Sequence, residues 1–137
     1  MSDTFTVGNT NFSSRLLVGT GKFASYSLMK EALEASRADI VTVALRRAGT
    51  AQSEGDILNY IPHTMHLLPN TSGARTAEEA IRIARMAREL GCGNLIKIEV
   101  IQDQRYLMPD NMETIKATEV LAKEGFIVFP YMSPNLM

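Results

Sequence analysis

Short apolar runs alternate with amphipathic stretches along this chain, and the two kinds of segment differ in period. The runs Arg15 to Gly19, Ile40 to Leu45, Met65 to Leu68, Leu95 to Val100 and Phe126 to Tyr131 are rich in Val, Ile, Leu and Phe and are bounded by turn residues. Each predicts a β-strand. Between them, stretches near Tyr26 to Arg37, Ala51 to Tyr60, Ala77 to Leu90 and Met112 to Glu124 repeat apolar positions every three or four residues and predict helices. The third of these places Ala80, Ile83, Ala84, Ala87 and Leu90 on one face. Thr76 followed by Glu79, and Asp110 followed by Glu113, have the spacing of a capping box at the starts of the third and fourth helices. Gly91 and Gly125 stand where a helix end needs a left-handed residue. Phe5 to Phe12, with Gly8-Asn9 at its centre, predicts a small leading hairpin that caps one end of a core.

Strict alternation of strand and helix implies parallel strands joined by right-handed crossovers, in either an open doubly wound sheet or a barrel. Spacing alone favours the open sheet, because five strands in 137 residues suit a flavodoxin-like domain whereas an eight-stranded barrel takes about 250 residues. Composition agrees with one globular domain over residues 1–137, at 45% hydrophobic and 21% charged. The formal charge of −1 is spread along the chain, which leaves no basic footprint for nucleic acid or an anionic membrane. No segment reaches the roughly 20 apolar residues of a membrane helix, and the first residues lack the pattern of an export signal. With Cys92 as the lone cysteine, no internal disulfide is available, the thiol is expected to be packed, and a cytoplasmic location follows.

The fourth run carries the chemistry. Alternation along Leu95-Ile96-Lys97-Ile98-Glu99-Val100 puts Ile96, Ile98 and Val100 on one face and Leu95, Lys97 and Glu99 on the other. Parallel strands are usually covered on both faces, so two ionisable groups on one face need a reason. One reason is an edge or half-solvated strand, or an ion pair between same-face neighbours. The other is catalytic, since both residues lie toward the strand's C-terminal end, where α/β folds of either architecture build their sites. A lysine in a water-poor interior is favoured in its neutral form, which attacks ketones to give an imine. A carboxylate beside it can shuttle the protons, although its charge also favours the ammonium.

Other signals are weaker. Gly19-Thr20-Gly21-Lys22-Phe23-Ala24 matches a loose dinucleotide fingerprint, and Arg46-Arg47 could receive a 2′-phosphate, which makes an NADP-binding module the rival reading. Against it, the helix is expected to begin near Ser25, beyond the glycines. Asn70 to Arg75 is a polar loop before a capped helix that reads as a turn or as an anion cradle. His63 and His66 lack accompanying ligands, so no metal site is expected. The eight methionines are scattered and read as core filling.

Taken in order, Leu16-Leu17-Val18-Gly19-Thr20-Gly21-Lys22, Val43-Ala44-Leu45-Arg46-Arg47, Leu68-Pro69-Asn70-Thr71-Ser72-Gly73, Ile96-Lys97-Ile98-Glu99-Val100-Ile101 and Phe129-Pro130-Tyr131 resemble thiazole synthase of thiamin biosynthesis across essentially the whole chain. The resemblance implies an α/β fold of the (β/α)8 TIM-barrel type. Of that barrel this sequence would supply about the first five strands and four helices, the N-terminal part. It implies formation of thiazole phosphate from 1-deoxy-D-xylulose 5-phosphate, dehydroglycine from a supplying enzyme, and sulfur from a thiocarboxylated sulfur-carrier protein. Lys97 matches the family's Schiff-base lysine and Glu99 its acid/base carboxylate, and no cofactor is expected. A later acidic catalytic residue and the phosphate-binding loops after strands seven and eight would fall beyond Met137, with Pro134 to Met137 opening a fifth helix, so residues 1–137 alone are expected to bind substrate poorly. Gln102-Asp103-Gln104-Arg105 is less typical of the family. An open barrel edge invites a second copy, so a homo-oligomer is expected. A Schiff-base aldolase or lyase on the same half-barrel is the alternative enzyme.

Overall fold

The computed structural model describes residues 3–45 and 54–134. Arg46-Arg47, the start of the stretch predicted from Ala51, and Asn135 to Met137 lie outside the described residues. The leading hairpin forms as expected, with β1 (Phe5–Val7) antiparallel to β2 (Thr10–Phe12), Phe5 opposite Phe12, and Gly8 in the left-handed region at φ 59. Five further strands form one parallel sheet: β3 (Leu17–Gly19), β4 (Ile40–Ala44), β5 (His66–Asn70), β6 (Leu95–Ile98) and β7 (Ile127–Pro130). The helices are α1 (Tyr26–Ser36), α2 (Glu54–Asn59), α3 (Ala77–Glu89) and α4 (Asn111–Lys123).

The strands lie side by side in sequence order, β3-β4-β5-β6-β7. A doubly wound sheet reverses its order at a switch point. This sheet has no reversal among its described strands, so the flavodoxin-like arrangement favoured by spacing is not the one formed. Chain length favours that arrangement, but length does not report strand order.

The chain packs as two compact units, one built from the segments up to Leu68 and one from Pro69 onward together with Ala44 and Leu45. In the first unit α1 buries Met29 and Leu33 against Val41 and Val43 of β4. Ser25 caps α1 by accepting from the Leu28 N–H at 3.2 Å, and Arg37 closes it in the left-handed conformation at φ 54. Asp39 ties the approach to β3, accepting from the Ser14 N–H at 2.9 Å and from the Ser13 hydroxyl at 2.9 Å.

In the second unit α3 lays Ala77, Ala80 and Ala84 on Ile96, Ile98 and Val100, while Ala117 and Leu121 of α4 complete the same core. Small residues on α3 let the helix approach the large side chains of β6. Leu90 is not on that buried face and is 56% exposed. The helix ends at Glu89, and the chain turns away through Leu90 into Gly91 at φ 84.

The two caps also differ. At α3, Thr76 accepts from the Glu79 N–H and Glu79 accepts from the Arg75 N–H at 2.8 Å, one residue before the cap. At α4, Asp110 accepts from the Glu113 N–H at 3.0 Å, but the Glu113 carboxylate accepts instead from the Ala77 N–H at 2.8 Å and pairs with Lys116. It therefore fastens the start of α3 to α4 rather than closing its own box. No helix among the described residues is long and apolar enough to cross a membrane.

Candidate functional site

Lys97 occupies an interior strand. Within the parallel sheet its residue pairs with Asn70 of β5 on one side and Phe129 of β7 on the other, so the edge-strand explanation for its charge is removed. Ile96, Ile98 and Val100 are fully buried as the alternation requires, and the opposite face presents Lys97 and Glu99. Leu95, assigned to that face by alternation, is itself buried at the strand's start. The Lys97 Nζ stands 3.0 Å from Glu99 Oε1, with the lysine side chain 36% and the glutamate 15% exposed. Same-face neighbours two apart thus meet as sequence suggested, at a distance that permits direct proton transfer, while the amine stays open to a small molecule.

The strand is shorter than its apolar run. Hydrogen-bonded pairing ends at Ile98, Glu99 lies outside β6, and Val100 pairs singly with Ala74. Thr71, just past β5, explains the change. Its N–H donates to the Lys97 carbonyl at 3.1 Å, and its hydroxyl both accepts from the Glu99 N–H and donates to the Glu99 carbonyl, each at 2.8 Å. A side chain thereby takes the place that a neighbouring main chain would hold in a regular ladder. In the sequence Thr71 belongs to a polar loop, and its role is not visible there because nothing in a linear sequence pairs it with a residue on another strand.

Tyr131 follows β7 and stands over the lysine, with its ring centroid 5.8 Å from Nζ. Its N–H donates to the Ile98 carbonyl at 2.9 Å, and its hydroxyl donates to the Leu107 carbonyl at 3.1 Å. The segment between Val100 and Asp110 is thus tied to the site's border. It is also held from within, by Gln104 on the Ile101 carbonyl and by Asp103 on the Arg105 N–H. In the sequence, Phe129-Pro130-Tyr131 stands out only by its family resemblance.

The weaker signals resolve differently. Gly19 closes β3, Lys22 takes a positive φ of 67, and α1 begins at Tyr26 with Ser25 as its cap. The glycines therefore lie away from the helix N-terminus that a pyrophosphate would need. In the Asn70 to Arg75 loop, the Ser72 N–H bonds the Asn70 side chain, the Ala74 N–H the Thr71 carbonyl and the Arg75 N–H Glu79. These donors serve the turn rather than an anion. His66 packs edge-on against Phe12 at 5.1 Å. Cys92 is buried, and that burial pushes its thiol above its ordinary range.

Known proteins supply the remaining context. The profile of the family described as thiazole biosynthesis protein ThiG matches residues 6–137. A thiazole synthase of Alkaliphilus metalliredigens is 65% identical over 133 residues, covering 97% of this chain and 52% of the relative. One from Pelotomaculum thermopropionicum is 61% identical over 137 residues, covering 100% of this chain and 54% of the relative. Among solved structures, the crystal structure of the Amycolatopsis orientalis BexX/CysO complex holds a chain that superposes with a TM-score of 0.79 at 30% identity, over 96% of this chain and 54% of that one. The chain spans about half the length of the curated relatives it matches. With residues 6–137 inside the family profile, the chain belongs to the thiazole synthase family.

Proposed function

We propose that the protein forms thiazole phosphate from 1-deoxy-D-xylulose 5-phosphate, dehydroglycine and sulfur, with Lys97 as the Schiff-base residue and Glu99 as its acid/base partner. The observation that carries the reading is the Lys97–Glu99 pair, 3.0 Å apart at the C-terminal end of an interior parallel strand, in a chain of this family. Glu99 accepts a proton from the Lys97 ammonium, the free amine adds to the ketone carbon, and the same proton returns to the carbinolamine oxygen as water leaves. The imine then acidifies the adjacent carbon, where the later steps proceed.

The monotonic strand order supports a (β/α)8 barrel, of which residues 1–137 form one N-terminal part. The phosphate-holding loops and a further acidic residue would then come from the later strands. The partners are a thiocarboxylated sulfur-carrier protein, an enzyme that supplies dehydroglycine, and further copies of the chain in a homo-oligomer, in the cytoplasm. A protein partner is favoured because the solved relative BexX was captured with a second protein, CysO.

Incubation of the protein expressed from its gene with 1-deoxy-D-xylulose 5-phosphate and borohydride tests the reading. The expected result is one reduced adduct by intact mass, mapped to the peptide carrying Lys97 and absent from Lys97→Ala. A full-length protein that yields no adduct, or one that carries it on another lysine, would overturn it. Carbon–carbon cleavage of the ketose without any carrier protein would instead mark a Schiff-base aldolase.

A further inference from the structure

Buried polar side chains are few among the described residues, where only Thr71 and Thr114 combine a polar group with complete burial. Thr114 is locally satisfied, its hydroxyl donating to the Asp110 carbonyl one helical turn back at 2.7 Å. Thr71 is not. Its hydroxyl reaches 28 positions along the chain to bond both main-chain groups of Glu99. Two paired positions bracket it, Asn70 with Lys97 and Ala74 with Val100. Between them the Thr71 side carries one more residue than the Glu99 side. That mismatch is the signature of a bulge, a device that re-aims side chains where a regular ladder could not.

We infer that Thr71 is a positioning residue for the Lys97–Glu99 pair. This rests on the proposed Schiff-base role only for its consequence in catalysis, since the geometry stands without it. The Thr71 N–H fixes the Lys97 carbonyl and the Thr71 hydroxyl fixes the Glu99 backbone, so one residue sets the main chain beneath both functional side chains. Pairing in β6 has ended at Ile98, and the hydroxyl supplies the partner that Glu99 would otherwise lack. Without it, the Glu99 N–H and carbonyl would have to seek water or each find another partner. The carboxylate would leave its place 3.0 Å from Nζ. Thr71 does not touch the reacting atoms and acts only through these two residues.

Two variants of the protein expressed from its gene separate this from a general packing role. Thr71→Val keeps the shape and removes the hydroxyl, whereas Thr71→Ser keeps the hydroxyl. The first readout needs no substrate: each protein is treated with a small amine-acylating reagent, and labelling of Lys97 is compared by peptide mass with that of exposed Lys22 in the same tube. Thr71→Val should raise the Lys97-to-Lys22 ratio by about threefold, because the Glu99 carboxylate no longer engages Nζ at 3.0 Å, and Thr71→Ser should restore the wild-type ratio. The second readout is the rate of borohydride-trapped adduct with 1-deoxy-D-xylulose 5-phosphate. It should fall about tenfold or more at saturating ketose in Thr71→Val, with the half-saturating concentration unchanged, and recover in Thr71→Ser.

An unchanged labelling ratio in a folded Thr71→Val would overturn the inference whether or not the ketose reacts. A shifted ratio rescued by serine, with no adduct in the wild type, would sustain the inference and sink the Schiff-base reading. Should Thr71→Val not fold, amide exchange in the wild type decides: a Glu99 N–H as slow as that of Ile98 supports the clamp, and a rapidly exchanging one removes it.

Discussion

A lysine and a glutamate two positions apart on an apolar strand can be an exposed ion pair or a reaction centre, and their surroundings bear on that choice. Here the strand is interior, the amine is only partly covered, and the carboxylate beside it is fastened through its backbone by a buried threonine. Removing that hydroxyl should also cost stability, about 1–3 kcal/mol for each main-chain group left without a partner, read as a lower thermal midpoint in Thr71→Val than in Thr71→Ser. Cys92 makes a second residue-level prediction. Buried and with its thiol held above the ordinary range, it should react with a disulfide reagent only after denaturant is added, and full reaction in the native protein would contradict its burial. Asp39 gives the third. The Ser14 N–H first, then the Ser13 hydroxyl and N–H, hold its carboxyl below its ordinary value of 3.8. Its contribution is therefore present above that value and lost as pH falls through the depressed folded one. Asp39→Asn should lower the thermal midpoint at pH 7 and flatten its fall below the ordinary value of 3.8, and parallel curves for the two proteins would refute the assignment. Of these residues, Lys97, Glu99 and Cys92 were legible as candidates from spacing and count. Asp39 and Thr71 were not, because each acts on a segment remote in sequence.

The same division holds among the elements. Ser25 and Thr76 cap α1 and α3, and the glycines at 91 and 125 turn left-handed where the sequence placed them. These are interactions within a few residues, governed by orphan backbone groups that any helix end presents. Thr76→Ala should cost about 1 kcal/mol, a drop in thermal midpoint of roughly 4–8 °C for a small domain, and a change under 1 °C would mean that the bond to Glu79 contributes nothing. Elements that depend on neighbours departed from their patterns. β6 ends two residues before its apolar run does, since Thr71 intercepts the ladder at Glu99. β5 continues through Pro69 and Asn70, past the apolar residues that marked it, with the Asn70 position paired to Lys97. Glu113 leaves its own helix cap for the Ala77 N–H of α3, because the Asp110 N–H that would close the box already donates to the Val100 carbonyl at 2.8 Å, a bond between segments that spacing cannot show.

For the whole molecule, the sheet runs in sequential strand order and the chain belongs to the thiazole synthase family, and the proposed function adds a sulfur-carrying protein as partner. That partnership predicts that the protein expressed from its gene co-elutes with its carrier on size-exclusion chromatography with light scattering, as a complex heavier than either component. Independent elution at concentrations where thiazole forms would remove the carrier from the scheme. The sequence by itself determined the alternation of strands and helices, the helix caps, the face bearing Lys97 and Glu99, and the family, because these depend on local periodicity and on the identity and spacing of residues along one line. Only the tertiary structure decided that β6 is interior, that strand order follows chain order without reversal, that the glycines at 19 and 21 stand apart from a helix start, and that Thr71 bonds the main chain of Glu99. The reason is physical: hydrogen bonds within a turn are dictated by neighbours in the chain, whereas a buried donor accepts whichever remote partner the packing brings within about 3 Å.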